Sequence, residues 1–342
     1  MPNRGAYTWD EIVGQPVAWE IALEDVLSRQ AELKARLRKG FSEAIFTGCG
    51  SSYYLALAAA PFFQVVLGVR ARAVPASEVF LFPEVVLPAQ GPALLVTISR
   101  SGETTEVLRA AETFSSRVEG DILPITCYET STLAQSYSQP LVARAAKERS
   151  IVETSSFTSM LLIAQLATAV AGERADYLAQ LRKLPALGKE LIDAQKDSAR
   201  QMGEDPEIER FFFLGSGPNY GLACEGMLKM KETSLSYCEA FHFMEFRHGP
   251  KSMIDDRSLV VGLLSDSGRE HELAVLEEMR SLGARTFELG PEGPLAGLTK
   301  GLSEWTRGIL SMPILQLMAY YRALARGLDP DSPTHLEAVV LL

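Results

Sequence analysis

A chain of 342 residues with 47% apolar side chains is long enough to bury two ordinary domain cores. Its formal net charge of -10 lacks the basic footprint that nucleic acid or an acidic membrane surface selects, so neither is expected as a partner, although a local site can still oppose the global sign and take a small anion. No apolar run reaches the roughly 18 residues of a membrane span, and the opening MPNRGAYTWDEIVGQP has no apolar signal core, so a cytoplasmic location is expected.

Along the chain, Trp9 to Arg38 carries apolar residues near helical spacing (Ile12, Val13, Val17, Ile21, Val26, Leu27) among many charges, which predicts an N-terminal helical arm over residues 1–38. Then the pattern changes. Ala44 to Thr47 reads as a strand, Gly48 to Ser52 as a glycine turn and Tyr53 to Phe63 as a helix. Pro92 to Ile98, Ser99 to Thr105 and Glu106 to Phe114 repeat that order, and a third strand, Ile122 to Cys127, leads into Tyr128 to Thr132. Continuously apolar strands alternating with helices imply a parallel sheet covered on both faces, here over 39–172. Ligands of such sheets bind beyond the carboxyl ends of the strands, where all three Ser/Thr/Gly clusters fall.

Phe157 to Ala171 is a strongly apolar helix, and Glu173 to Gly203 is charged and amphipathic, so a helical connector is placed at 173–204. After Asp205-Pro206 the first pattern returns: Arg210 to Leu214, then Gly215 to Asn219, a helix from Leu222 to Tyr237, and about fifty residues after the first strand Leu259 to Leu264 with Ser265 to Gly268. A duplicated domain over 205–325 is the economical reading, with 326–342 left as a tail expected to close the active site. The four cysteines, Cys49, Cys127, Cys224 and Cys238, form no CxxC pair or zinc spacing and are expected to be reduced, mostly buried thiols. His242, His248, His271 and His335 include no HExxH pattern, so no metal and no cofactor are expected.

Two clusters carry chemistry. Ser99 to Thr105 offers hydroxyls, backbone N–H groups and a helix N-terminus in one place, which suits a phosphate, although a capped turn uses the same residue types. Glu225, Lys229 and Glu232 lie three or four residues apart and share a helix face, either as ordinary ion pairs or as a held carboxylate. The sequel from Glu239 to Lys251, with two His, two Glu and Arg among its aromatics, does not read as a core strand.

ISRSGETTEV, CGSS, EGMLKMKE and EFRHGPKSMID, in this chain's order CGSS, ISRSGETTEV, EGMLKMKE, EFRHGPKSMID, resemble the tandem sugar isomerase (SIS) domain family, as found in the isomerase half of isomerising glucosamine-6-phosphate synthase and its stand-alone relatives. The resemblance runs from about Trp9 to the C-terminus. It implies an α/β fold of two tandem SIS domains, each a doubly wound parallel sheet flanked by helices. It also implies that Ser52, Ser99, Arg100, Ser101 and Thr104 cradle a 6-phosphate, and that Gly50, Ser51, Thr130, Ser131, His335 and Ala338 fall where the sugar is contacted. Glu232 matches the base that shuttles a proton between C1 and C2, Glu225 and Lys229 match its neighbours, and His248 matches a histidine linked to ring opening. In the family that histidine enters from the partner subunit, which implies a homodimer.

Three departures stand out. Arg100 stands where the synthase has Gln, adding a fixed positive charge. Glu153-Thr154-Ser155-Ser156-Phe157 replaces a stretch that contains a Lys. Ala338 stands where the synthase has its Schiff-base lysine, so no imine forms there. No Cys follows Met1, so ammonia from glutamine is not expected. The reading is a deaminase and isomerase: ring opening of glucosamine 6-phosphate or a related hexosamine 6-phosphate, proton transfer by Glu232, then hydrolysis to fructose 6-phosphate and ammonia.

One alternative is a fructosamine 6-phosphate deglycase, separated by pocket size at C1 or C2. Another is a non-catalytic sugar-phosphate sensor, which predicts loss of the catalytic Glu or a basic DNA-binding segment, whereas Glu232 is present. His242 stays open between touching substrate and supporting a residue that does. His335 can replace part of the lysine's work, and His271 is expected at the surface.

Overall fold

Four short apolar runs set the architecture. In the computed structural model, which describes residues 4–291 and 293–340, Glu43–Gly48 (β1), Ala93–Ile98 (β3), Arg210–Gly215 (β6) and Ser258–Leu263 (β8) are strands buried at every position except the first of β1 and of β6. Burial on both faces is what a central parallel strand requires. Arg70–Pro75 (β2), Gly120–Thr126 (β4) and Leu141–Val142 (β5) complete one sheet, in the order β2-β1-β3-β4-β5. Tyr237–Phe241 (β7) and Arg285–Leu289 (β9) complete the other, in the order β7-β6-β8-β9. All pairings in both are parallel. The second order is that of the first four strands of the first sheet, so the duplication expected from spacing is a duplication of topology.

Among the described residues, 14–148, 155–183 and 337–340 make one compact unit, and 4–13, 149–154 and 184–336 make another. In the first unit one face of the sheet packs on Ile45, Val74, Val79, Leu95, Val107 and Phe114. Against the helices Gln15–Ser28, Gln30–Leu37 and Ser51–Leu67 packs the helix Ser155–Ala171, mostly apolar and buried at every residue, as a helix without a solvent face must be. Part of the polar surface taken inside is paired. The Trp19 indole donates to Thr158 Oγ1 at 3.0 Å, and that hydroxyl donates to Gln15 at 2.7 Å. In the second unit Phe212, Leu214, Phe243, Phe246, Val260 and Leu276 form the core, and the helices Leu184–Glu204 and Asn219–Ser234 pack on Glu304–Ala325.

β2, β7 and β9, each at an edge of its sheet, were not foreseen. Arg-Ala-Arg-Ala-Val-Pro, Tyr-Cys-Glu-Ala-Phe and Arg-Thr-Phe-Glu-Leu each bury a single residue, so they carry no apolar run to read. Glu239 to Phe241 are not a core strand, as expected, but they do pair as an edge strand, which need not bury its polar side chains. The helix expected to reach Tyr237 stops at Ser234, where Leu235 takes a left-handed conformation (φ 52°) and frees the next residues to pair as β7. Three cysteines are buried, Cys49 is half-buried, and none of the four is in a disulfide. His271 is exposed, as expected.

Candidate active site

The turn after β1 depends on two glycines. A Cβ on Gly48 would stand 2.7 Å from the Ser52 backbone, and Gly50 has a φ of 54°, which a side chain rarely tolerates. This tight reversal carries Ser51 and Ser52 straight into the first turn of helix Ser51–Leu67, where both are buried. Gly215 and Gly217 repeat it after β6, with a Cβ at Gly215 meeting Asn219 O at 2.4 Å and Gly217 again at φ 54°.

After β3 the Ser99 hydroxyl accepts from Gly102 N at 3.0 Å and lies 3.0 Å from the Thr104 hydroxyl, while Ser101 Oγ accepts from Glu103 N at 3.1 Å. The segment then enters helix Thr105–Arg117. The loop after β4 is stitched to it: Glu103 accepts from Thr132 N and Oγ1, both at 2.7 Å, and Leu133 N donates to Gly102 O at 3.0 Å. Gly102 has a φ of 68°, and a Cβ there would sit 2.2 Å from Ser131 Oγ. The three clusters expected to meet at the carboxyl ends of β1, β3 and β4 therefore do lie at one edge of one sheet. Thr130 is exposed, whereas the buried Ser131 donates to Tyr128 O at 2.7 Å and caps helix Thr132–Ser136.

Arg100 is buried beside this loop. One guanidinium nitrogen stands 3.2 Å from the Glu148 carboxylate and another donates to Ala338 O at 3.2 Å. Glu148 has no exposed side-chain surface and also accepts from Ser156 N at 3.0 Å and Ser156 Oγ at 2.5 Å, at the N-terminus of helix Ser155–Ala171. Glu148 escaped the sequence reading because it lies about fifty residues from Arg100 in a stretch with no periodicity.

In the second unit, helix Asn219–Ser234 brings Glu225, Lys229 and Glu232 together as their spacing predicts. The Lys229 ammonium is 3.1 Å from Glu225 and hydrogen-bonds Glu232. Glu225 is wholly buried, and neither of its oxygens makes a geometrically sound hydrogen bond. That burial pushes its pKa up to about 8; the Lys229 charge opposes the rise, and the negative charges of Glu232 and Glu153 add to it. Burial alone would lower the Lys229 pKa, but the carboxylates around it outweigh the effect and hold the ammonium charged. Glu232 keeps 14% of its side chain exposed, against none for Glu225. The cluster thus has one acid whose burial favours the neutral form, one cation and one carboxylate with an outlet. Glu153, whose field reaches both Glu225 and Lys229, is a member the sequence reading did not assign.

His248 is exposed, and its imidazole has no hydrogen-bond partner among the described residues. The His242 ring stacks on Tyr220 at 3.7 Å, and the resulting desolvation lowers its pKa. In the tail, Asp331 accepts from Tyr7 N at 3.2 Å, Thr8 N at 2.7 Å and Thr8 Oγ1 at 2.8 Å, at the start of helix Ala6–Val13. Beyond it His335 is exposed, with a left-handed φ of 63°.

The SIS domain family matches residues 42–170 and 207–289. AgaS of Streptomyces coelicolor, provisionally named a D-galactosamine-6-phosphate deaminase, is 32% identical over 97% of this chain and 92% of its own length. The glutamine–fructose-6-phosphate aminotransferase (isomerizing) of Xylella fastidiosa is 30% identical over 86% of this chain, which spans 52% of that enzyme. Among solved structures, glucosamine-6-phosphate deaminase of Thermotoga maritima has a TM-score of 0.79 at 31% identity, covering 94% of this chain and 99% of that one. The tagatose-6-phosphate ketose/aldose isomerase of Escherichia coli has a TM-score of 0.87 at 26% identity, covering 96% and 95%. The chain belongs to the SIS domain family, among its sugar-phosphate isomerases and deaminases.

Proposed function

We propose that this chain deaminates a hexosamine 6-phosphate, glucosamine 6-phosphate or an epimer, to a ketose 6-phosphate and ammonia. The observation that carries the reading is the buried set Glu225, Lys229 and Glu232, in which one carboxylate alone keeps an outlet. Aldose–ketose isomerisation needs such a group, able to take a proton from one carbon and return it to the next.

His248 assists opening of the pyranose. Glu232 then removes the C2 proton of the open-chain aldehyde; the electron pair moves to form the enolamine, and the same carboxyl group returns the proton to C1. Water adds to the resulting C2 imine, the C–N bond breaks and ammonia leaves. Lys229 offsets the charge that develops on the enolamine oxygen. Glu225, whose burial favours its neutral form, competes less for the Lys229 charge. The loop Ser99 to Thr104, with Ser52 and Arg100, takes the 6-phosphate, and Gly50, Ser51, Thr130, Ser131, His335 and Ala338 line the sugar. Binding energy from the phosphate holds the reacting carbons in place. With alanine at 338 no lysine imine forms there, so ring opening rests on acid–base help. The enzyme acts as a homodimer with His248 supplied across subunits.

The test is to incubate the purified protein with glucosamine, galactosamine and mannosamine 6-phosphates and with fructosamine 6-phosphates, measuring ammonia and ketose. Equal release of both from one hexosamine 6-phosphate is expected. Release of an amino acid from a fructosamine instead, with no ammonia from any hexosamine 6-phosphate, overturns the proposal.

A further inference from the structure

The duplicated topology places a second Ser-x-Ser-Gly loop, Ser265-Asp266-Ser267-Gly268, after β8, as Ser99-Arg100-Ser101-Gly102 follows β3. The two turns begin alike: Ser265 Oγ accepts from Gly268 N at 2.8 Å, as Ser99 Oγ does from Gly102 N at 3.0 Å. They part at the glycine, which is left-handed only in the first. In the second loop the donors are already taken. The buried carboxylate of Glu304 accepts from Asp266 N at 2.6 Å, Ser267 N at 3.2 Å and Ser267 Oγ at 2.9 Å. Where the first loop has the cation Arg100, the second has Asp266, whose carboxylate accepts from two nitrogens of the buried Arg307 at 2.9 and 2.7 Å and from Glu304 N at 3.1 Å.

We propose that Glu304 is an intramolecular anion that closes the second loop, so that this copy of the turn takes no phosphate. This rests on the phosphate reading above and deepens it. Two backbone N–H groups and a hydroxyl converging on carboxylate oxygens at a helix N-terminus form the donor set that a phosphate oxygen uses. A charged carboxylate held there excludes a second anion by occupancy and by repulsion, and the Arg307 cation beside it is already paired with Asp266. The duplication thus gave a second loop whose anion position is filled from its own chain.

Inorganic phosphate is the probe, read by backbone amide NMR shifts of the whole chain. Saturable shifts at Arg100 and Ser101, with Asp266 and Ser267 unmoved, are expected. Joint titration of Asp266 and Ser267 in the unaltered protein overturns the closure by Glu304. Silence at Arg100 and Ser101 instead overturns the phosphate reading of the first loop. In Asp266→Ala/Glu304→Ala, which frees Arg307, the amides at 266 and 267 are expected to respond to phosphate. Their silence in a double variant that melts cooperatively also counts against the proposal, and if that variant does not fold, the unaltered chain still decides.

Discussion

The guanidinium of Arg100 lies 3.2 Å from the carboxylate of Glu148, a side chain with no solvent exposure. A buried pair of this kind is costly to break from one side, because the surviving charge is left in a poorly solvated place. Glu148→Ala is therefore expected to lower stability by about 3 kcal/mol, read as a shift in a denaturant or thermal midpoint. Glu148→Gln keeps the shape and the acceptor oxygen and is expected to lose less.

The same pair makes Arg100 a test of the phosphate loop. Arg100→Gln installs the residue of the synthase pattern and removes a fixed charge. KM for the sugar phosphate is expected to rise about tenfold, the worth of one charge-assisted hydrogen bond, with kcat little changed. A fall in kcat at constant KM would place Arg100 at the reacting carbons instead.

Glu225 gives a pH prediction. Its folded pKa of about 8 lies above the ordinary glutamate value of 4.5, so the folded chain binds a proton that the unfolded chain releases in that interval. The stability this contributes is complete below the unfolded pKa and is lost as pH rises through the folded one. Glu225→Gln is expected to flatten the fall in stability between those two values, measured by denaturation at a series of pH values.

Composite sites can be tested by mixing. Glu232→Gln and His248→Ala are each expected to be inactive when purified alone. If His248 serves the partner's site, subunit exchange in an equal mixture restores about a quarter of the unaltered activity, since half the dimers are mixed and each carries one intact site. No recovery after demonstrated exchange would place His248 and Glu232 in the same subunit's site.

The central strands and the turns behind them were legible because a strand buried on both faces must be an apolar run, and β1, β3, β6 and β8 are such runs. Edge strands were not, because β2, β7 and β9 keep charged residues within their short spans. The grouping of Glu225, Lys229 and Glu232 follows from helix periodicity alone. Partners supplied from distant segments, Glu148 for Arg100 and Glu304 for the loop after β8, leave no local pattern. The glycine turns repeat at Gly48 and Gly215 because both sheets reverse the chain against the first turn of the following helix, a demand the sequence states and only the backbone explains.

Glucosamine 6-phosphate deuterated at C2 interrogates the proton shuttle itself. Ammonia release by the unaltered protein is expected to slow with the label, part of the deuterium is expected at C1 of the ketose product, and Glu232→Gln is expected to lose about 100-fold or more in kcat. Turnover by Glu232→Gln at the unaltered rate, or a product with no deuterium at C1 and no slowing by the label, would contradict a carboxylate at 232 carrying the proton.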